Sequence, residues 1–116
     1  MTVIIDFRGK EVLFEDYFVD AYKDVCGQTI SPKSFPAYIE LKYGFDLDDY
    51  PEKFEALSSV QIAEAVVEGI MRELRVLLGP RKKHQKDHPE DIPLSTILYD
   101  ALERYQREHP NVHVEF

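Results

Sequence analysis

The stretch from Tyr43 to Glu55, YGFDLDDYPEKFE, is where residue types and spacing come closest to a chemical purpose. Five carboxylates (Asp46, Asp48, Asp49, Glu52, Glu55) share it with four aromatic rings (Tyr43, Phe45, Tyr50, Phe54) and one lysine, Lys53. Aromatic rings supply rigid contact area, and carboxylates accept paired hydrogen bonds from arginine. Together they suit recognition of a basic protein surface, including one built to hold nucleic-acid phosphates. The alternative is a solvated loop whose aromatics turn inward to the core. Asp16 and Asp20, with Glu15, Asp24 and Tyr17, lie on the polar side of a helix expected just upstream. They either extend the acidic surface or form an ordinary solvated helix face.

Other reactive side chains point away from catalysis. His84 and His88 have the i, i+4 spacing of metal ligands, but Arg81, Lys82, Lys83 and Lys86 surround them, and Gln85 stands where a zincin needs glutamate. Arg81-Lys82-Lys83 is a small basic cluster in a solvated loop. Glu73 falls on an otherwise apolar helical arc, where a buried carboxylate becomes an acid or base unless it is paired or at the edge of the packed surface. Cys26 is the single cysteine, so there is neither an internal disulfide nor a CxxC spacing, and an inert thiol near a helix end is expected. No Gly-rich phosphate loop, GxSxG elbow or Cys/His dyad is found. The expectation is a protein that is not an enzyme, with no catalytic residues, metal or cofactor.

Within the acidic stretch, Tyr43-Gly44-x-x-Leu47-Asp48 resembles the Tyr-Gly-x-Asn-Leu-Asp segment of barstar-type ribonuclease inhibitors, with Asp46 in place of the asparagine. The order of elements, strand then helix at the start and helix then strand at the end, is similar as well. That resemblance implies a small acidic immunity protein with a parallel sheet, whose tyrosine and carboxylates plug the active site of a basic nuclease. On this chain the corresponding positions are Tyr43, Asp46, Asp48 and Asp49. The wider class of toxin-immunity proteins, including those of contact-dependent growth inhibition, shares the same style.

The element that must position these residues is a helix over 58–78, SSVQIAEAVVEGIMRELRVLL. Ser58 followed by Gln61 has capping-box spacing, and Gly79-Pro80 is a stop signal. At about 100° per residue, Gln61, Glu64, Glu68, Arg72 and Arg75 form one narrow stripe and apolar residues fill most of the rest. A helix so apolar is covered on several sides, which makes it central. Upstream, Thr2–Phe7 reads as a β-branched strand, Arg8-Gly9-Lys10 as a turn, and Glu11–Phe14 as a short returning strand. Phe14, Phe18, Ala21, Tyr22 and Val25 line one face of a first helix that Gly27 ends. Ser34-Phe35-Pro36 has the form of a helix start, with Ser34 as N-cap and Gly44 at the end, although Ile39, Leu41 and Tyr43 alternate as a strand would. Residues 81–91 read as a polar loop. A last helix over Ile92–Glu108 presents Leu94, Ile97, Leu98, Ala101, Leu102 and Tyr105 on one face. His109-Pro110-Asn111 breaks it, and 112–116 alternate as a final strand.

These elements predict an α+β (or small α/β) fold in one domain spanning residues 1–116. A small sheet formed by the terminal strands packs with three to four helices around the central helix. The net charge of −8 is uneven: residues 1–58 hold 12 acids against 6 bases, and 59–116 hold 10 against 8. Such a balance disfavours direct nucleic-acid binding and suits a basic protein partner. No apolar run reaches the length of a signal or membrane span, so a cytoplasmic protein away from membranes is expected. The leading expectation is an immunity or antitoxin-like inhibitor that occludes the cationic cleft of a basic toxin enzyme. Tyr43, Asp46, Asp48, Asp49, Tyr50, Glu52, Glu55, Asp16 and Asp20 would make the contacts. The second is an assembly subunit that self-associates through apolar helices, as a homodimer.

Overall fold

The computed structural model describes residues 2–78 and 92–113, with side chains over 2–76 and 96–113. Strand β1 (Thr2–Phe7) turns back into β2 (Lys10–Glu15), and the two form an antiparallel hairpin in unbroken register from Thr2↔Glu15 to Phe7↔Lys10. Arg8 and Gly9, with φ of 51° and 84°, are the two turn residues. Both being positive marks the type I′ turn, whose twist matches that of the flanking strands. Arg8 takes the left-handed conformation despite its Cβ, and its side chain is held by Asp48 at 3.0 Å. Phe7, Val12 and Phe14 face the core, while Thr2, Ile4, Asp6 and Glu11 face outward.

Helix α1 (Asp16–Cys26) continues directly from β2 and ends where Gly27, at φ 76°, donates its N–H to the Lys23 carbonyl. A 3₁₀ turn (Pro32–Ser34) leads into α2 (Phe35–Tyr43). The start of α2 differs from expectation. Ser34 is already helical and makes no cap; Ser31 caps the 3₁₀ turn instead, accepting from the Lys33 N–H at 3.4 Å. The proline at 32 starts the turn earlier than the proline at 36 suggests. Ile39 is buried and Leu41 exposed, a helical division that the apparent strand alternation concealed. Gly44 closes α2 at φ 79°.

After α3 (Pro51–Ala56) comes α4 (Ser59–Leu78), which is the centre of the molecule. Its capping box forms in both directions: Ser58 N–H to Gln61 Oε1 at 2.8 Å, and Gln61 N–H to Ser58 Oγ at 3.1 Å. Every residue from Ile62 to Met71 is buried. Gly69 lets α2 lie close, because a Cβ there would overlap the Tyr38 ring and reach within 2.6 Å of its Cγ. The polar stripe is not the solvent side of this helix: Glu64 and Glu68 are only 5% and 6% exposed.

Helix α5 (Ile92–Glu108) packs on α1 through Leu98, Ala101, Leu102 and Tyr105, joined by Tyr99, while Ile97 stays largely exposed. The described residues therefore make an α+β fold of one antiparallel two-stranded sheet and five α-helices, with one hydrophobic cluster drawing on all of them. The described sheet is the β1–β2 hairpin, not the parallel sheet that the barstar resemblance implies. Val112 is buried and lies in no strand; the rest of the expected final strand, residues 114–116, falls outside the described residues. So do the Gly79-Pro80 stop, the Arg81–Lys83 cluster and His84 and His88. No helix among the described residues is long and apolar enough to cross a membrane.

Candidate functional site

The acidic stretch folds as a lobe that divides its residues between core and surface. Phe45, Leu47 and Phe54 are buried, and the Phe54 ring meets Phe7 edge-on at 5.6 Å. Asp46 holds the turn, its Oδ1 accepting from the Asp48 N–H at 2.8 Å while its carbonyl accepts from the Tyr50 N–H at 3.0 Å. Lys10, at the start of β2, reaches across to the end of α3. Its ammonium donates to the carbonyls of Phe54 (2.9 Å), Glu55 (2.9 Å) and Leu57 (2.6 Å), and sits 5.0 Å from the centre of the Phe54 ring. A cation at a helix C-terminus satisfies carbonyls that have no intrahelical donor. Lys53 covers the other ring, 4.5 Å from the centre of Tyr50.

What faces solvent is acidic. Asp48 has a 78% exposed side chain even with Arg8 beside it, and Tyr50 is 45% exposed. Asp46, Asp49, Glu52 and Glu55 are exposed as well. The stretch thus divides: the phenylalanines turn inward, and the carboxylates with Tyr50 stay out.

The remaining expected contact residues lie elsewhere. Tyr43 sits on α2 against α4, half-buried, its hydroxyl donating to the Gln61 carbonyl at 3.3 Å. Burial, then the nearby Glu64 and Glu68 carboxylates, raise its pKa. Asp16 begins α1 and accepts from the Tyr17 N–H at 2.8 Å. It follows the end of β2 opposite Lys10, and β2 itself spans roughly 17 Å at about 3.3 Å per residue. Asp20 borders an open groove of about 460 Å³ between α1 and α5, with Asp24, Asp100, Ile97 and Arg104 along it. Tyr17 closes one end, donating to Glu108 at 2.8 Å beneath the Arg104 guanidinium. Burial and the Glu108 carboxylate push the Tyr17 phenol well above its ordinary range, and the same hydrogen bond lowers the pKa of Glu108. The acidic residues therefore form two surfaces, the lobe and the α1–α5 groove, instead of one.

Glu73 is not buried; it accepts from the Tyr38 hydroxyl at 2.8 Å at the rim of the α2–α4 contact. Cys26 is only partly buried, and that burial raises the pKa of its thiol. Sequence reasoning missed the buried ionic junction behind α4. Glu68 accepts from Lys42 at 2.6 Å and Arg72 at 2.7 Å, and Lys42 also donates to the Asn111 carbonyl at 3.1 Å. His109 lies between Glu64 (Nδ1, 3.2 Å) and Glu15 (Nε2, 3.3 Å), stacked on Tyr105 at 4.1 Å. With both ring nitrogens committed, the imidazole ties β2, α4 and α5 together. Only the i, i+4 spacing of Glu64, Glu68 and Arg72 signals it in sequence; Lys42, Glu15 and His109 come from far along the chain. No metal-binding cluster occurs among the described residues.

No protein-family model, curated protein or solved structure matches this chain.

Proposed function

We propose that this chain is a binding protein of the toxin-immunity kind, which inhibits a basic enzyme by laying the acidic lobe of residues 46–55 into its cationic cleft. The observation that supports this reading is the anchoring of the lobe. Phe45, Leu47 and Phe54 are in the core and Lys10 holds three carbonyls, so Asp48, Asp49, Tyr50, Glu52 and Glu55 are displayed on a fixed backbone. Fixed carboxylates lose little entropy on binding and fit a basic partner in register. Asp49 and Glu52 bond arginine or lysine, and Tyr50 fills an apolar recess. Asp46 acts from within, shaping the turn. A nuclease is one such basic enzyme, since a cleft that holds phosphates is cationic. Self-association through apolar helices is the weaker reading, because α4 uses its apolar residues from Ile62 to Met71 inside the chain.

The test is capture from the native host at low salt, release at high salt, and expression of the released protein with and without this chain. A basic protein that is toxic alone and neutralised by co-expression supports the proposal. Asp49→Arg is then expected to weaken binding by about 2–5 kcal/mol. A loss below about 0.5 kcal/mol for both Asp49→Arg and Asp48→Arg removes the lobe from the mechanism.

A further inference from the structure

The outer edge of β1 carries an inference independent of the lobe. Among the described residues β1 pairs on one side only, with β2. Protein sheets protect such edges with charged side chains, lysine above all, or with proline, bulges or short strands. β1 has a single charge, Asp6 near its end, and no lysine, proline or bulge: TVIIDF is six residues long, in register throughout, and rich in β-branched residues.

The turn fixes which backbone groups point outward. In a β-turn closed by Phe7 and Lys10, the Phe7 carbonyl accepts from the Lys10 N–H. Hydrogen-bonded pairs alternate along an antiparallel ladder, so Phe7, Ile5 and Val3 bond to β2. Thr2, Ile4 and Asp6 therefore direct their N–H and C=O groups away from β2, at the open edge. Their side chains lie on the exposed face, with Ile4 57% exposed; Val3 and Ile5, on the inner face, are only half-buried.

We propose that this edge pairs with the β1 edge of a second copy of the chain, antiparallel and centred on Ile4, making a four-stranded sheet across a two-fold axis. In this register Ile4 meets Ile4, Thr2 meets Asp6, and Val3 meets Ile5. The three outward-facing pairs exchange about six backbone hydrogen bonds. Centring on Ile5 instead sets Ile4 against Asp6 and forms about four. A parallel arrangement would place the two Asp6 carboxylates side by side, which like charges oppose. The antiparallel register keeps each Asp6 opposite a threonine that can donate to it, and the Val3–Ile5 pairs continue the half-covered inner face. Such an interface is isologous, as a two-fold dimer requires.

Sedimentation of the full chain from micromolar to millimolar concentration is the test, read together with amide exchange. The expected mass rises from 13.6 kDa to twice that value, and the amides of Thr2, Ile4 and Asp6 become protected as it rises. Ile4→Pro removes an outward N–H without touching the β1–β2 ladder, and Ile4→Lys guards the edge at an exposed position. Both are expected to stay monomeric with unchanged circular dichroism. A chain that is monomeric throughout, or a dimer that persists in either folded variant, overturns the proposal. So does protection of the three amides at every concentration, since the chain would then be covering its own edge.

Discussion

Lys10→Met is the most informative single change, because it removes the ammonium and keeps most of the aliphatic stem. The ammonium donates to three carbonyls at the end of α3, at 2.9, 2.9 and 2.6 Å. Hydrogen bonds to a charged donor contribute about 1.5–3 kcal/mol each when buried. These carbonyls lie at the end of a short surface helix and can be rehydrated, so simple addition overstates the loss. The favourable cation at a helix C-terminus adds up to about 2 kcal/mol in partly buried geometry. A net cost of about 2–3 kcal/mol follows. With a urea slope of about 2 kcal/mol/M, the midpoint falls by about 1–1.5 M. Amide exchange should accelerate selectively at Lys53, Phe54 and Leu57, whose N–H groups bond within the lobe. If the midpoint moves by less than about 0.25 M and exchange in the lobe is unchanged, Lys10 does not fix the lobe, and the pre-organisation invoked for binding fails with it.

Gly69→Ala gains about 1 kcal/mol in helix propensity but drives a methyl into the Tyr38 ring, and overpacking costs about 1–3 kcal/mol. A net loss of stability is therefore expected on thermal unfolding, and a stabilised variant would show that α2 moves aside freely. Burial, first of all, raises the phenols of Tyr17, Tyr38 and Tyr105 above the ordinary 10.0. A raised folded-state value means that their contribution is fully present below pH 10 and is lost as pH climbs above it. Phenolate absorbance and circular dichroism should change together above pH 10, whereas ionisation of all seven tyrosines near pH 10 with the fold intact would contradict this.

The elements were legible in the sequence where local chemistry decides them. Ser58 and Gln61 cap α4, Gly27 and Gly44 end α1 and α2, and Arg8-Gly9 turns the hairpin, because each depends on residues a few positions apart. The apolar arc of α4 and the amphipathic face of α5 follow from the helical period in the same way. The start of α2 was less legible, since Ser31 and Ser34, each followed by a proline one or two positions on, offer the same signal. Of the candidate site, the composition of residues 43–55 was plain, but its division into inward phenylalanines and outward carboxylates was not.

Tertiary structure alone decided which charges are buried. Glu64 and Glu68 sit on the polar stripe of α4, and by period alone that stripe belongs in water. Lys42 from α2 and His109 from the end of α5 converge on it, with His109 held in turn by Glu15 from β2, and a buried carboxylate is tolerated only where such donors meet it. Lys10 at the end of α3 is the same case, a contact across more than forty residues that no local pattern encodes. The sequence by itself determined α1, α2, α4 and α5, the hairpin and an acidic, aromatic segment, but not the short α3 that forms within that segment. Packing determined that this segment stands on a fixed base and that Asp16 and Asp20 belong to another surface. The physical reason is range: caps, turns and periodicity act over a few residues, whereas burial and ion pairing depend on which distant segments meet.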